Sequence, residues 1–216
     1  MKARNIAVLA VVLAASALST GCVTGRRMIA LDTPVQTAPA SSKGAIAIGT
    51  VTDQRTFENK PPAPSTPSID GDVSKASKDS LKTMIGRQRN GYGAAMGDVA
   101  LASGATVESQ TRSLVAEGLK RRGYTASDGG GADAIKVDID EFWGWFSPGF
   151  ATVSFEARLR TKLTLSQGGQ ARELVVNGYG INKGQVASDA NWQLAYTRAF
   201  EDYLKNLDTA LAGAGF

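Results

Sequence analysis

Val153-Ser154-Phe155-Glu156-Ala157-Arg158-Leu159-Arg160-Thr161-Lys162-Leu163-Thr164-Leu165 decides the fold class. Apolar side chains and Thr161 hold the odd positions, and Ser, Glu, Arg, Lys and Thr hold the even ones. A period of two sends successive side chains to opposite faces of an extended chain. This stretch is therefore a strand in a sheet with one dry face and one wet, basic face. Downstream, Gly168-Gly169 suits a tight hairpin turn, followed by a further strand over residues 173–182. Upstream, Ile135, Val137 and Ile139 alternate with Lys136, Asp138 and Asp140, and Ser147-Pro148-Gly149 turns the chain. Asp138, Asp140 and Glu141 then face Arg158, Arg160 and Lys162 as cross-strand pairs. A glycosidase acid–base pair would instead flank a cleft from separate elements.

Two helices frame the meander. In residues 107–122, Val107, Thr111, Leu114, Val115, Gly118 and Leu119 recur at steps of three and four, with Thr106 as N-cap and Gly123 as the stop. In residues 191–211, Trp192, Tyr196, Ala199, Phe200, Tyr203, Leu207 and Leu211 form a second stripe, capped by Ser188 or Asp189. Residues 44–51, small and apolar, read as a buried first strand. The expected fold is α+β: two helices packed on one face of a four-stranded, mainly antiparallel sheet, in the order β-α-β-β-β-α. It forms a single domain over residues 44–212. A Pro/Gly-rich insertion at about 60–104 carries Pro61, Pro62, Pro64 and Pro67, which call for irregular chain, and then a structured glycine-rich loop.

The first 43 residues read differently. Lys2 and Arg4 precede an uncharged run over residues 6–18, too short for a spanning helix, and Ser19-Thr20-Gly21-Cys22 follows. This resembles the lipobox of bacterial lipoproteins, with Ser19 where an apolar residue is usual. The resemblance implies cleavage of a signal peptide, residues 1–21, and acylation of Cys22, including palmitate. Cys22 is also the chain's only cysteine, so it has no disulfide partner in the chain. Two or more acyl chains give stable attachment to a membrane. Val23 stands where an Asp often marks inner-membrane retention, which favours the outer membrane, with the domain facing the periplasm. Residues 22–43, rich in Thr, Ala, Ser and Pro, read as a flexible tether.

Composition excludes several functions. The formal charge of +4 includes Lys2 and Arg4, so the mature chain stands at +2, without the basic patch that nucleic acid requires. Histidine is absent, which removes the commonest general base and metal ligand. No nucleophile elbow or metal-ligand cluster is present, so no catalytic residue, metal or cofactor is expected. Gly91-Tyr92-Gly93-Ala94-Ala95-Met96-Gly97 mimics a dinucleotide signature but follows polar residues where the mechanism needs a strand. The candidate binding residues are Arg87, Arg89 and Tyr92 on the glycine-rich loop, and Trp143 and Trp145. Guanidinium groups beside an aromatic suit a phosphate, a glycan carboxylate or an acidic partner. The aromatic run Phe142-Trp143-Gly144-Trp145-Phe146 places large rings on both faces of one strand, and an exposed pair would suit a partner.

The lipobox, the strand ending Val51-Thr52-Asp53-Gln54-Arg55, the helix ending Arg122-Gly123-Tyr124 and the alternating strand after Ala132-Asp133-Ala134 together resemble the YajG family of bacterial lipoproteins. More distantly, the lipid-anchored α/β unit is similar to auxiliary envelope lipoproteins such as LptE. The resemblance implies the fold and the envelope location; the lipid tether, the flexible spacer, the compact domain and the aromatic and arginine candidates point to a non-enzymatic envelope lipoprotein, held to the membrane through Cys22, that binds a protein partner in envelope assembly or maintenance. The alternative is a periplasmic module that binds glycan or lipopolysaccharide. Neither involves nucleic acid.

Overall fold

The structure is a computed structural model describing residues 25–37, 42–90, 94–102, 104–131, 133–149, 152–167, 170–185 and 188–216. Residues 1–21, read as a signal peptide, and Cys22 lie outside these residues. The expected four-stranded sheet is overturned. The described residues hold eight strands in one mixed sheet: β1 (Arg27–Ile29), β2 (Gly44–Asp53), β3 (Met84–Arg89), β4 (Ala95–Leu101), β5 (Tyr124–Asp128), β6 (Ile135–Pro148), β7 (Val153–Gln167) and β8 (Gln170–Gly184). Three α-helices accompany them: α1 (Lys78–Thr83), α2 (Val107–Arg121) and α3 (Asp189–Gly213).

The β6–β7–β8 meander is antiparallel throughout. β7 occupies one edge of β6 along its length, so the other edge is shared. β2 pairs with the first part of β6, ending at Asp53 opposite Ile139, and β3 pairs with the last part at Gly144 and Trp145. Both unions are parallel. β5 extends the β2 branch, and β4 and then β1 extend the β3 branch.

Arg55 sits at this fork. Its side chain is fully buried beside Asp53. Nε and Nη2 donate to the two Asp53 carboxylate oxygens at 2.8 Å each. Nη1 donates to the carbonyls of Met84 and Phe142, and Nη2 to that of Leu81. The ladder is interrupted where β2 ends and β3 begins, and buried carbonyls there need donors. One planar guanidinium supplies several at once.

A β-bulge at Asp140, between Ile139 and Glu141, shifts β6 by one residue. Ile135, Val137 and Ile139 face the helices before it, and Phe142 and Phe146 after it. Trp143 and Trp145 therefore turn to the opposite face, where Ile69, Met84 and Ala100 join them in a second core under residues 57–81. The proline-rich stretch is thus an arm laid across the outer face of the sheet. Trp143 Nε1 donates to the Pro64 carbonyl at 3.2 Å, and Phe57 meets the Trp143 ring edge-on.

α2 and α3 pack on the inner face, with the predicted stripes of both helices buried. α2 starts at a Thr106–Ser109 capping box and stops at Gly123, whose φ is +89°. α3 lies close on β8 because Gly178 and Gly180 present no side chain there. A Cβ at Gly178 would stand 2.5 Å from the Ala199 carbonyl oxygen.

α3 also closes the outer edge of β8. Arg198 Nη1 donates to the Ile181 carbonyl, the Tyr179 N–H donates to Asp202, and Asn206 Nδ2 donates to the Asn177 carbonyl. Four helical residues rise about 6 Å and two strand residues about 6.8 Å. A helix stripe at steps of four therefore matches alternate residues of an antiparallel strand. Capping these groups blunts an edge that would otherwise recruit another strand.

The segment read as a tether is docked where it is described. β1 pairs with β4. The Gln36 N–H donates to Glu117 at 2.7 Å, and Arg121 donates to the Pro34 carbonyl. Burial pushes the Glu117 carboxyl up, but the Gln36 N–H with Arg121 and Lys120 outweighs it and holds the group below its ordinary value.

Gly178→Val forces α3 away from β8. It is expected to cost about 1–3 kcal/mol by overpacking, read as a lower urea midpoint with the slope unchanged; an unchanged midpoint would mean the helix has room to move.

Candidate functional site

The residues singled out for binding are not a surface cluster. Arg87 lies under the arm at 7% exposure, donating to the Ile69 carbonyl through Nη1 and to Asp70 through Nη2 at 3.0 Å. Its cross-strand partner Asp98 accepts the Asp70 N–H at 2.8 Å. Burial raises the Asp98 carboxyl above its ordinary range despite that bond and the nearby Arg87 and Arg26. Arg89, at the end of β3, is half-buried; burial, then the neighbouring Arg87 charge, lowers its pKa. Tyr92 lies outside the described residues, as does part of the dinucleotide-like stretch. Gly97 of that stretch is in β4, where a Cβ would collide with the Gly25 backbone.

Trp143 is 1% and Trp145 6% exposed, so the pair is core and not a docking surface. This sets aside the exposed-pair reading, and the reason is the arm, which covers the face that the Asp140 bulge gives them. Sequence reasoning missed Arg55 as a long-range contact. The available signal was an Asp-x-Arg pair immediately after an apolar strand.

The surface the structure does leave open is the outer face of β6–β7–β8 beyond the arm. Register places Trp143, Arg158 and Tyr179 in one row, and Trp145, Glu156 and Ile181 in the next. Asp138, Lys162 and Val175 form a further row, and Glu141, Arg160 and Asn177 lie between. Val175, Tyr179 and Ile181, at 51%, 43% and 37% exposure, line one strand. They are three of the six large exposed hydrophobics among the described residues, so apolar surface concentrates here.

Beside them runs the basic row of β7. Arg158 pairs with Glu141 at 3.3 Å and lies over the Trp145 ring, its guanidinium carbon 5.1 Å from the centroid. Arg160 meets Asp140 at 3.7 Å, and Lys162 meets Asp138 at 4.0 Å and Glu173 at 3.6 Å. These ion pairs are half in water and individually weak. Tyr179 is held more firmly: its hydroxyl donates to Glu156 at 2.7 Å. Burial, then that bond and the Glu156 charge, pushes the phenol up to about 12. The stripe is thus a fixed, amphipathic strip with an arginine stacked at its margin. Such strips suit contact with another macromolecule.

Concavities elsewhere on the described surface are alternatives. One, of about 500 Å³, lies along residues 48–52 beside Arg112 and Asp128. Arg112 is already engaged there by the Ile48 and Gly49 carbonyls and by Asp128. Another, of about 230 Å³, lies between Arg55, Phe57, Lys78 and Lys82. Lys82 is bound to Glu108 at 3.1 Å. Among the described residues, no three His, Cys, Asp or Glu side chains gather to hold a metal. No described helix is long and apolar enough to cross a membrane.

No family model matches the chain, and no curated protein matches it. Among solved structures the chain is similar to protein XCC0632 from Xanthomonas campestris, of family DUF330. The identity is 11%, with 88% of this chain and 96% of that one covered and a TM-score of 0.47. It is also similar to an uncharacterised protein at 10% identity, covering 88% and 95% with a TM-score of 0.34. A third is the hypothetical protein CT253 from Chlamydia trachomatis, at 7% identity, covering 78% and 99% with a TM-score of 0.35.

Burial separates the tryptophan pair from the exposed strip. Trp143→Ala is expected to cost about 3–5 kcal/mol of stability by opening a cavity. Ile181→Ala is expected to cost less than about 1 kcal/mol. Equal losses in urea denaturation would contradict this division into core and surface.

Proposed function

We propose that the chain is a lipid-anchored, non-enzymatic envelope lipoprotein of the YajG-like kind. It is held at the outer membrane through Cys22 and faces the periplasm, where it binds a protein partner in envelope assembly or maintenance. The observation that supports partner binding is the strip of Val175, Tyr179 and Ile181 beside Arg158. Aromatic residues and arginine are enriched at protein interfaces, and hot spots favour Tyr and Arg. The strip lies on a strand whose edge is capped by α3, so a partner would meet its side chains and not add a strand to its backbone.

The anchor is supported by the leader, the Ser19-Thr20-Gly21-Cys22 sequence and the lone cysteine. The family reading rests on Val51-Thr52-Asp53-Gln54-Arg55, and the fork gives Asp53 and Arg55 a structural task. A glycan or lipopolysaccharide site would have drawn on Arg87, Arg89, Tyr92, Trp143 and Trp145. Arg87, Trp143 and Trp145 are buried, Arg89 is half-buried, Tyr92 lies outside the described residues, and no observation favours that reading.

The test is crosslinking of the full-length protein in intact membranes. Wild type is expected to capture one defined envelope protein, and Tyr179→Asp with Ile181→Asp is expected to lose it while remaining folded. Cys22→Ala is expected to leave the membrane fraction and to take up no palmitate. Capture unaffected by the paired substitution would overturn the strip as the interface.

A further inference from the structure

The distance between the acylated residue and the folded domain is very short. Only Val23 and Thr24 separate Cys22 from Gly25, the first described residue. Three residue steps reach roughly 11 Å at most. Gly25 is already part of the fold: its N–H donates to the Met96 carbonyl, and two residues later β1 enters the sheet. A lipidated protein with a long tether can rotate freely above the bilayer; this chain lacks that slack.

The topology says which end is tied down. β1 is parallel to β4, with Arg27 opposite Val99, so the chain enters β1 at the end of the sheet where β4 begins. β3 ends at the same level, since Arg89 pairs with Ala95. The level carries across the sheet. Arg87 is opposite Trp145, and two residues further on Ser147 lies opposite Ser154, which lies opposite Lys183. The end of β6, the start of β7, the end of β8 and the start of α3 therefore share the end at which the anchor enters.

We infer that this end rests on the bilayer, with anionic lipid headgroups as its contact. The inference depends on the anchor reading and adds a fixed orientation to it. Arg26 and Arg27 follow the anchor, with no acidic residue before Asp32. The Arg26 side chain is 53% exposed and lies 3.8 Å from the buried Asp98, Arg27 is held by Asp189 at 2.9 Å, and Lys183 is exposed on the same end, so Arg26 and Lys183 are the basic groups turned outward there. Basic residues beside a lipid anchor add attraction to anionic lipid. The strands then stand away from the membrane. The Val175–Tyr179–Ile181 strip runs from near the surface outward along β8, with the β7–β8 turn furthest away.

β8 serves as its own ruler. Lys183 and Ala171 are both exposed on it and twelve residues apart, about 40 Å of strand. The lipidated protein, with its Cys22 thiol acylated, is purified from membranes as Lys183→Cys or Ala171→Cys and labelled with a fluorophore. It is then reconstituted into phosphatidylethanolamine–phosphatidylglycerol vesicles containing a headgroup-linked nitroxide quencher. The expected result is several-fold stronger quenching at position 183 than at 171, with the difference reduced by Arg26→Glu. Equal quenching at both positions, or stronger quenching at 171, would overturn the orientation while leaving the anchor intact. Release of the purified protein from vesicles by dilution would instead remove the anchor, and the orientation with it.

Discussion

β6 has a single edge left after β7 has taken the other, and two strands must share it. Where β2 gives way to β3, Arg55 donates to the backbone carbonyls of both Met84 and Phe142. Burying a guanidinium costs several kcal/mol unless its charge and its donors are matched. Asp53 matches the charge in a two-pronged contact, and the carbonyls of Leu81, Met84 and Phe142 take the remaining donors. The same group holds the start of the arm, since Phe57 lies against the Arg55 guanidinium and then against Trp143. Fork, arm and second core therefore form one connected arrangement.

From that arrangement follows what the surface can offer. The arm covers Trp143 and Trp145, and α3 caps the β8 edge. The open remainder of the outer face lies over β7 and β8, where Arg158 and Tyr179 sit in one row. The β3 branch carries β4 and β1, so it also determines where the N-terminal segment enters the sheet. The end at which the chain enters β1 and the strip left open on the outer face are thus both consequences of how β6 is shared.

The meander and both long helices were legible because each buries one face and so repeats its polarity at the period of its geometry. Residues 153–165 and the stripes from Trp192 to Leu211 and Val107 to Leu119 show this. The β3–β4 hairpin was not legible. β3 is buried on both faces yet contains Arg87 and Gln88, and its glycine is there for close approach: a Cβ on Gly86 would stand 2.7 Å from the Gly144 carbonyl oxygen. Glycine spacing that reads as loop is, in this case, backbone packed on backbone. The three-residue β1 and the five-residue edge strand β5 are too short for periodicity to register. The candidate residues failed for a related reason. Arginines and tryptophans look like surface chemistry until a long-range partner is known, and the partners of Arg87 and Trp143 lie on an arm with no periodic signature.

The most direct measurement is amide hydrogen exchange on Arg55→Met beside the wild type. If Arg55 joins the two branches at β6, protection is expected to fall first in β3, β4 and residues 57–81, while the β7–β8–α3 layer keeps a wild-type pattern. Breaking one side of a buried pair costs about 3–5 kcal/mol, enough to read segment by segment. Protection unchanged in β3 and β4, or lost to the same degree in both regions, would contradict the account.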